Sequence, residues 1–270
     1  MKYACDVCKA TVKARLCGIH LFYDRKFDVS PGELPHSEKL DFPSSQSFAA
    51  NACSPDCDVL QLGIGHSNVA AALVDRFCRV TAVDFIVNDI SEASSPTVPT
   101  PMPQNVGAYD YILLMDLIEH LHDPERFMDE LRRKMNGRQP EVIITSANVA
   151  FFVTRVMLAL GQFNYSKKGI LGLGHRRLFT FKSLRALLEQ AGYEVLEQHG
   201  APAPFPLALG MNRWSRTLLF INRALIKLSK TLFSYQICIR ARALPDAGHL
   251  LKETIASTSA LRIQILDRVA

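Results

Sequence analysis

Residues 58–73 read DVLQLGIGHSNVAAAL. The apolar run DVLQLG stops at two glycines one residue apart and gives way to NVAAAL, whose apolar spacing is helical. That is a strand, a tight loop and a helix. Gly63 allows a sharp turn off the strand. Gly65 lets the backbone come close to a ligand, because a Cβ there would stand in the way. The next apolar run, RVTAVD, ends on Asp84, and a carboxylate placed beside such a loop can accept both hydroxyls of a ribose. Together these features specify a nucleoside-containing cofactor. A dinucleotide fingerprint requires a third glycine where this chain has Asn68. The loop alone therefore leaves three readings open: a dinucleotide site, another nucleoside site, or a glycine turn that only joins strand to helix.

Outward from this unit, strands and helices alternate. YDYILLMD, PEVIITS, YEVLEQHG and LFSYQICIRARAL read as strands. DPERFMDELRRKM reads as a helix with Asp123 as N-cap and Pro124 in its first turn. KSLRALLEQAG is a helix closed by Gly192, and residues 213–230 form another. The Pro- and Ser-rich stretch SEASSPTVPTPMPQNVG is loop, as is KKGILGLGH. Such alternation predicts an α/β fold, a mostly parallel sheet with helices on both faces.

The sequence DVLQLGIGHSNVAAAL, then VTAVD, then YDYILLMDLIEHLHDPERFMDELRRKM, resembles class I S-adenosylmethionine-dependent methyltransferases, and EHLHDPERF is the most specific part. ITSANVAFFVTRVMLALGQFNY and GHRRLFTFKSLRALLEQAGYEVLE extend the likeness toward a bacterial branch that includes small-molecule and glycan-associated methyltransferases. The resemblance implies a Rossmann-like, seven-stranded sheet whose last strand runs antiparallel, with S-adenosylmethionine as cofactor. It implies that Gly63 and Gly65 flank the methionine moiety, that Asp84 holds the ribose, and that Gln61, Phe85, Asp116 and Leu117 line the cofactor pocket. His120 would face the transferred methyl group or the acceptor. His175 and Arg177 would sit on a loop over the site, with the two histidines as catalytic bases and Arg177 as a substrate contact. The family usually carries Asp or Glu where this chain has Gln61, and a small residue or glycine where it has Ser67. The segment between Asp84 and Asp110 is also short. The resemblance thus implies a methyltransferase acting on a small-molecule, glycan or lipid-linked acceptor. A non-catalytic member that works by binding and an NAD-dependent oxidoreductase are the alternatives.

Composition fits an ordinary globular chain: 270 residues, 48% hydrophobic and 21% charged. The start, MKYACDVCKA, lacks the apolar core of a secretory signal. Seven cysteines without that signal point to a reducing compartment, the cytoplasm, rather than a disulfide scaffold. Three parts are expected: an irregular extension over residues 1–56, the methyltransferase domain over 57–244, and a tail over 245–270. Cys5, Cys8, Cys17 and His20 have the spacing of a small zinc knuckle; the other reading is a set of reduced thiols, and no metal is assigned.

Two apolar segments carry alternative readings. NVAFFVTRVMLAL is either a core helix or a lid or lipid-facing wall. From 210 to 242 the chain has Arg213, Arg216, Arg223, Lys227, Lys230, Arg240 and Arg242 and no acid. Within the helix, Trp214, Leu218, Ile221, Leu225 and Leu228 fall opposite the basic arc. Either that apolar side packs on the sheet and the charges face water, or the helix makes peripheral contact with an anionic membrane. No nucleic-acid partner is expected.

Overall fold

The computed structural model describes residues 43–63, 68–84, 102–103, 105–135, 137–166, 169–206, 210, 212–245, 254–255 and 258. The cysteines and histidine of the N-terminal motif, with Gly65 and Phe85, lie outside these residues.

Six strands form one sheet: β1 (Asp58–Gly63), β2 (Arg79–Asp84), β3 (Tyr111–Met115), β4 (Glu141–Ala147), β5 (Tyr193–Ala201) and β6 (Gln236–Ala243). Their spatial order is β2-β1-β3-β4-β6-β5. The first four run parallel, and β6 lies antiparallel between β4 and β5. This is the Rossmann-like sheet with an antiparallel last strand that the sequence predicts. Six strands are seen among the described residues where seven are expected, and residues 85–101 lie outside them.

Both faces are covered, which explains why the central strands are apolar on both sides. One face carries Leu60, Leu62, Ile112, Leu114, Val142 and Ile144. Against it pack α3 (Pro124–Lys134), through Phe127, Met128 and Leu131, and α5 (Phe181–Gln190), through Leu184, Leu187 and Leu188. The other face carries Val59, Leu113, Met115 and Ile143 under α1 (Ser45–Ala52) and α2 (Asn68–Val74). Local chemistry sets the helix ends. Asp123 Oδ1 accepts the Arg126 N–H at 2.9 Å, and Pro124 occupies the first turn. Thr180 and Ser183 form a capping box at the start of α5, and Gly192 follows its end at φ +80°.

Two segments differ from the sequence reading. Residues 45–52, inside the stretch read as irregular, form α1. Ser44 caps it through a reciprocal pair with Ser47, and its Ala49 and Ala50 are buried in the second core. Polar content hid this helix, because its buried face is built from alanines. Residues 232 and 233, read as the start of the last strand, belong instead to the short helix α7 (Lys230–Phe233).

The last two longer helices, α4 (Phe152–Ala159) and α6 (Arg213–Leu228), are anchored by buried amides. Asn148 is fully buried. Its Nδ2 donates to Thr231 O at 2.9 Å and Ser234 O at 2.8 Å, and its Oδ1 accepts the Ala150 N–H at 3.1 Å. One side chain thereby ties the entry to α4 to the exit of α7. Asn148→Ala removes three hydrogen bonds and leaves buried partners unpaired, so we expect a loss of about 2–4 kcal/mol. Urea denaturation checks it, and a loss below about 0.5 kcal/mol is the ordinary surface effect.

Candidate active site

The carboxyl ends of the parallel strands meet at one edge of the sheet, where open α/β sheets bind ligands. The register aligns them: Gly63 pairs with Asp84 on one side and with Met115 on the other, and Met115 pairs with Thr145. Three of the positions expected to hold a cofactor, Gly63, Asp84 and Asp116, are therefore gathered at the ends of adjacent strands. Gln61 lies two residues back along β1. It is buried, and its Oε1 has no hydrogen-bond partner among the described residues. A buried acceptor left unpaired is costly, and a ligand donor at this edge would relieve it. Leu117 is fully buried in the first core, so its side chain is packing and its backbone is what the pocket can use.

Asp116 leaves β3 with φ +48°, a left-handed conformation that aspartate tolerates better than most side chains. Its backbone N–H donates to Thr145 Oγ1, and the Thr145 hydroxyl donates back to Asp116 Oδ1, both at 2.9 Å. Gln236 Nε2 lies 3.0 and 2.9 Å from the two carboxylate oxygens, and Gln236 Oε1 accepts from Ser45 Oγ at 2.8 Å. This Ser45–Gln236–Asp116–Thr145 chain was not legible in the sequence. Because β6 is antiparallel, it begins where β4 ends, Ala147 opposite Gln236, and only the sheet order shows this.

Glu119 lies in the short turn Ile118–His120 that follows β3. It is buried at 2% exposure. Its Oε1 accepts the Ala147 N–H at 3.3 Å, and the buried Ser146 hydroxyl stands beside the carboxyl. Burial first, and the nearby Asp116 second, raise its pKa to about 8. Burial also raises Asp116, but hydrogen bonds from Thr145 and Gln236, and then His120, oppose the rise. Burial therefore favours the neutral form of both carboxyls, and the two differ in that Asp116 has donors to both oxygens that oppose the rise.

His120 and His175 come together, ring centroids 4.9 Å apart and edge to face. Each Nδ1 lies 2.9 Å from a backbone carbonyl, Gly174 O for His120 and Ile170 O for His175. A carbonyl can only accept, so each Nδ1 carries a proton, and in a neutral ring the lone pair is then on Nε2. Burial, with His120 adding to it, lowers the His175 pKa, which favours that neutral form. The loop glycines make the approach possible: a Cβ on Gly172 would sit 2.9 Å from His175 Nε2, and one on Gly174 would sit 3.2 Å from the His120 ring. The expected loop over the site is held down by backbone, since the Arg176 and Arg177 N–H groups donate to Glu119 O at 2.8 and 3.1 Å. The Arg177 side chain turns to α3 and pairs with Glu125 at 2.5 Å.

A protein-family model described as a methyltransferase domain matches residues 35–198, more than half of the 270. The chain belongs to this methyltransferase-domain family. The match begins ahead of α1, so the family's domain includes the helix that supplies Ser45 to the site. No curated protein matches the chain. Solved structures similar to this methyltransferase-domain protein include three methyltransferases. A SAM-dependent methyltransferase from Archaeoglobus fulgidus has 16% identity over 76% of this chain and 98% of that one, with TM-score 0.40. The Burkholderia thailandensis 1,6-didemethyltoxoflavin-N1-methyltransferase, solved with 1,6-didemethyltoxoflavin and S-adenosylhomocysteine, has 15% identity over 80% and 92%, with TM-score 0.43. The small RNA methyltransferase HEN1 has 14% identity over 83% and 27%, with TM-score 0.49. The family assignment rests on the family model.

The pKa of Glu119 has a direct consequence for stability. It is raised from 4.5 to about 8, so the folded state prefers the protonated form. The contribution is complete below the unfolded value and is lost as pH rises through the folded one. Wild-type stability should therefore fall between about pH 5 and about pH 9. Glu119→Gln, which keeps the acceptor for Ala147 and cannot ionise, should flatten that decline. Urea midpoints of both proteins across this range decide it, and parallel profiles would show that Glu119 does not titrate there.

Proposed function

We propose that this protein is an S-adenosylmethionine-dependent methyltransferase, and that the cofactor lies along the strand edge marked by Gly63, Asp84 and Asp116. The observation that carries the reading is the register that brings these three positions to the ends of adjacent strands, within a chain of the methyltransferase-domain family. The residues fit the group. A ribose offers two hydroxyl donors to Asp84, and the unpaired Oε1 of Gln61 can accept from the ammonium of the methionine moiety. Gln61 supplies no charge there, so that end is held by hydrogen bonding rather than by an ion pair. Phe85 and Gly65 are assigned to the same pocket. The cofactor supplies a methyl group on a sulfonium, already equipped with its leaving group.

The protein's task is then alignment, which can supply on the order of 7–11 kcal/mol of the barrier. Asp116, held by Thr145 and Gln236, gives the pocket a fixed carboxyl group at the strand edge. His120 and His175 present Nε2 lone pairs. Either can take the proton that a hydroxyl acceptor loses as it attacks the methyl carbon. Arg177 shares its guanidinium with Glu125 through Nη1, and its other N–H groups can meet an anionic acceptor. Following the resemblance, we assign the acceptor to small molecules, glycans or lipid-linked compounds in the cytoplasm. The free, buried thiols Cys53, Cys57, Cys78 and Cys238 suit a reducing compartment.

A second reading, a member of the family that binds without catalysing, is favoured by one observation: Gln61 stands where the family pattern has an acid. Isothermal titration with S-adenosylmethionine separates the readings from an NAD-binding protein, and methyl transfer to added acceptors separates catalysis from binding. Asp84→Ala should weaken S-adenosylmethionine binding tenfold or more, since each charged hydrogen bond is worth about 1.5–3 kcal/mol. Unchanged affinity in a protein that still melts cooperatively would remove Asp84 from the site.

A further inference from the structure

Helix α6 is turned the wrong way round for a helix that merely covers a sheet. Such a helix buries its apolar stripe. Here the buried residues are Ser215, Leu219 and Asn222. Asn222 anchors the helix with hydrogen bonds, donating to Phe233 O and accepting the Ala203 N–H, both at 2.9 Å. The packed reading of the apolar side therefore fails. Trp214 is 78% exposed and Leu228 80%, and Leu218, Phe220 and Ile221 are exposed as well.

At 3.6 residues per turn, Leu218, Trp214, Ile221 and Leu228 fall within an arc of about 80°. Arg213, Arg216, Arg223 and Lys227 fall within a second arc of about 80°, and the two arcs lie on either side of the outward direction, opposite the buried residues. Among the described residues no acid pairs with these four cations, and the chain from 210 to 242 contains none. Helix α4 adds to the surface. Of its residues only Thr154 is buried, so the core-helix reading fails there too. Phe152, Val156 and Leu158 are exposed, as is Leu160 beyond its end. The two helices meet through α7: the Phe152 and Phe233 ring centroids are 5.8 Å apart, and Phe233 is the residue that Asn222 holds.

We propose that the outward side of α6, with α4 beside it, docks on the surface of an anionic lipid bilayer. The charge pattern selects this occupant. A second copy meeting the same face would set unpaired cations against cations. A nucleic acid would engage the cations and leave the aliphatic arc in water. An acidic bilayer surface takes both, with the leucines and Ile221 in the acyl boundary, Trp214 at the headgroup level and the cations against the phosphates. No helix among the described residues is long and apolar enough to cross a membrane, so the contact is peripheral.

The protein carries its own probe, because Trp214 is its one tryptophan. The full chain is mixed with vesicles of phosphatidylcholine alone or of phosphatidylcholine with phosphatidylglycerol, and Trp214 emission and co-sedimentation are followed. We expect a blue shift and sedimentation with the acidic vesicles only, both reversed by salt. Replacing Arg216, Arg223 and Lys227 by Gln should lower the partition coefficient by roughly a hundredfold. Ile221→Ser with Leu228→Ser should weaken it too, and both variants should keep the wild-type melting curve because these side chains are exposed. Absence of a shift with acidic vesicles, or equal binding to neutral ones, overturns the proposal. So does a shift that needs only higher protein concentration and no lipid, which would assign the face to a second copy. The readout is independent of S-adenosylmethionine, so it stands or falls apart from the proposed catalysis.

Discussion

The antiparallel insertion of β6 between β4 and β5 decides which polar groups can reach the carboxyl edge of the sheet. Four parallel strands deliver only their last residues to that edge. A strand running the other way delivers its first residue, and here that residue is Gln236. Its amide is the shape that Asp116 requires: two N–H bonds for a carboxylate that has left solvent, and a carbonyl that Ser45 of α1 can satisfy in turn. Had β6 paired the other way round, Asp116 would sit at a left-handed turn with Thr145 as its sole side-chain donor, and less would oppose the rise in its pKa that burial causes. The polarity of one strand thus decides which donors reach the buried carboxyl.

The same edge is where the two amide brackets sit. Asn148 follows β4 directly, and Asn222 projects from α6 onto the carbonyl of Phe233, three residues before β6. Attachment by hydrogen bonds has a consequence that attachment by packing lacks. A helix held by a narrow polar strip has no need to spend its apolar residues on the core, so Trp214, Ile221 and Leu228 stay in water. Leaving them there forgoes hydrophobic stabilisation on the order of 1.5–3 kcal/mol for each side chain fully buried. The basic arc beside them, with no acid along the segment, makes the pattern directional rather than a defect of packing.

The sheet was legible in the sequence because the period of the apolar residues is a local property. DVLQLG, RVTAVD and PEVIITS are strands in any reading, and the caps Asp123 and Gly192 act within one turn of their own helices. Strand order was legible only through resemblance, and everything that depends on it was missed. Gln236 looked like one more residue of a final strand, and Ser45 lay in a stretch whose helix buries alanines instead of large side chains. The burial of Glu119 was not legible for a related reason. Its position at the start of a short helix suggests an exposed acid, and only the packing of Ile118 and Leu121 on either side carries it into the interior. The amphipathic pattern of α6 was seen, but a helical wheel gives the angle between two arcs and not which of them faces the sheet.

The pairing of Asp116 with Glu119 links the site to the loop above it. Glu119 offers its backbone carbonyl to the N–H groups of Arg176 and Arg177, so the segment bearing His175 hangs on the same residue whose carboxyl is buried beneath. If both carboxyls ionised, the repulsion would fall on the short turn Ile118–His120, which also carries the other histidine. Burial raises both pKa values and so works against that doubly charged state. The histidine pair and the carboxyl pair are thus held by one turn of chain, and displacing that turn would move all four side chains.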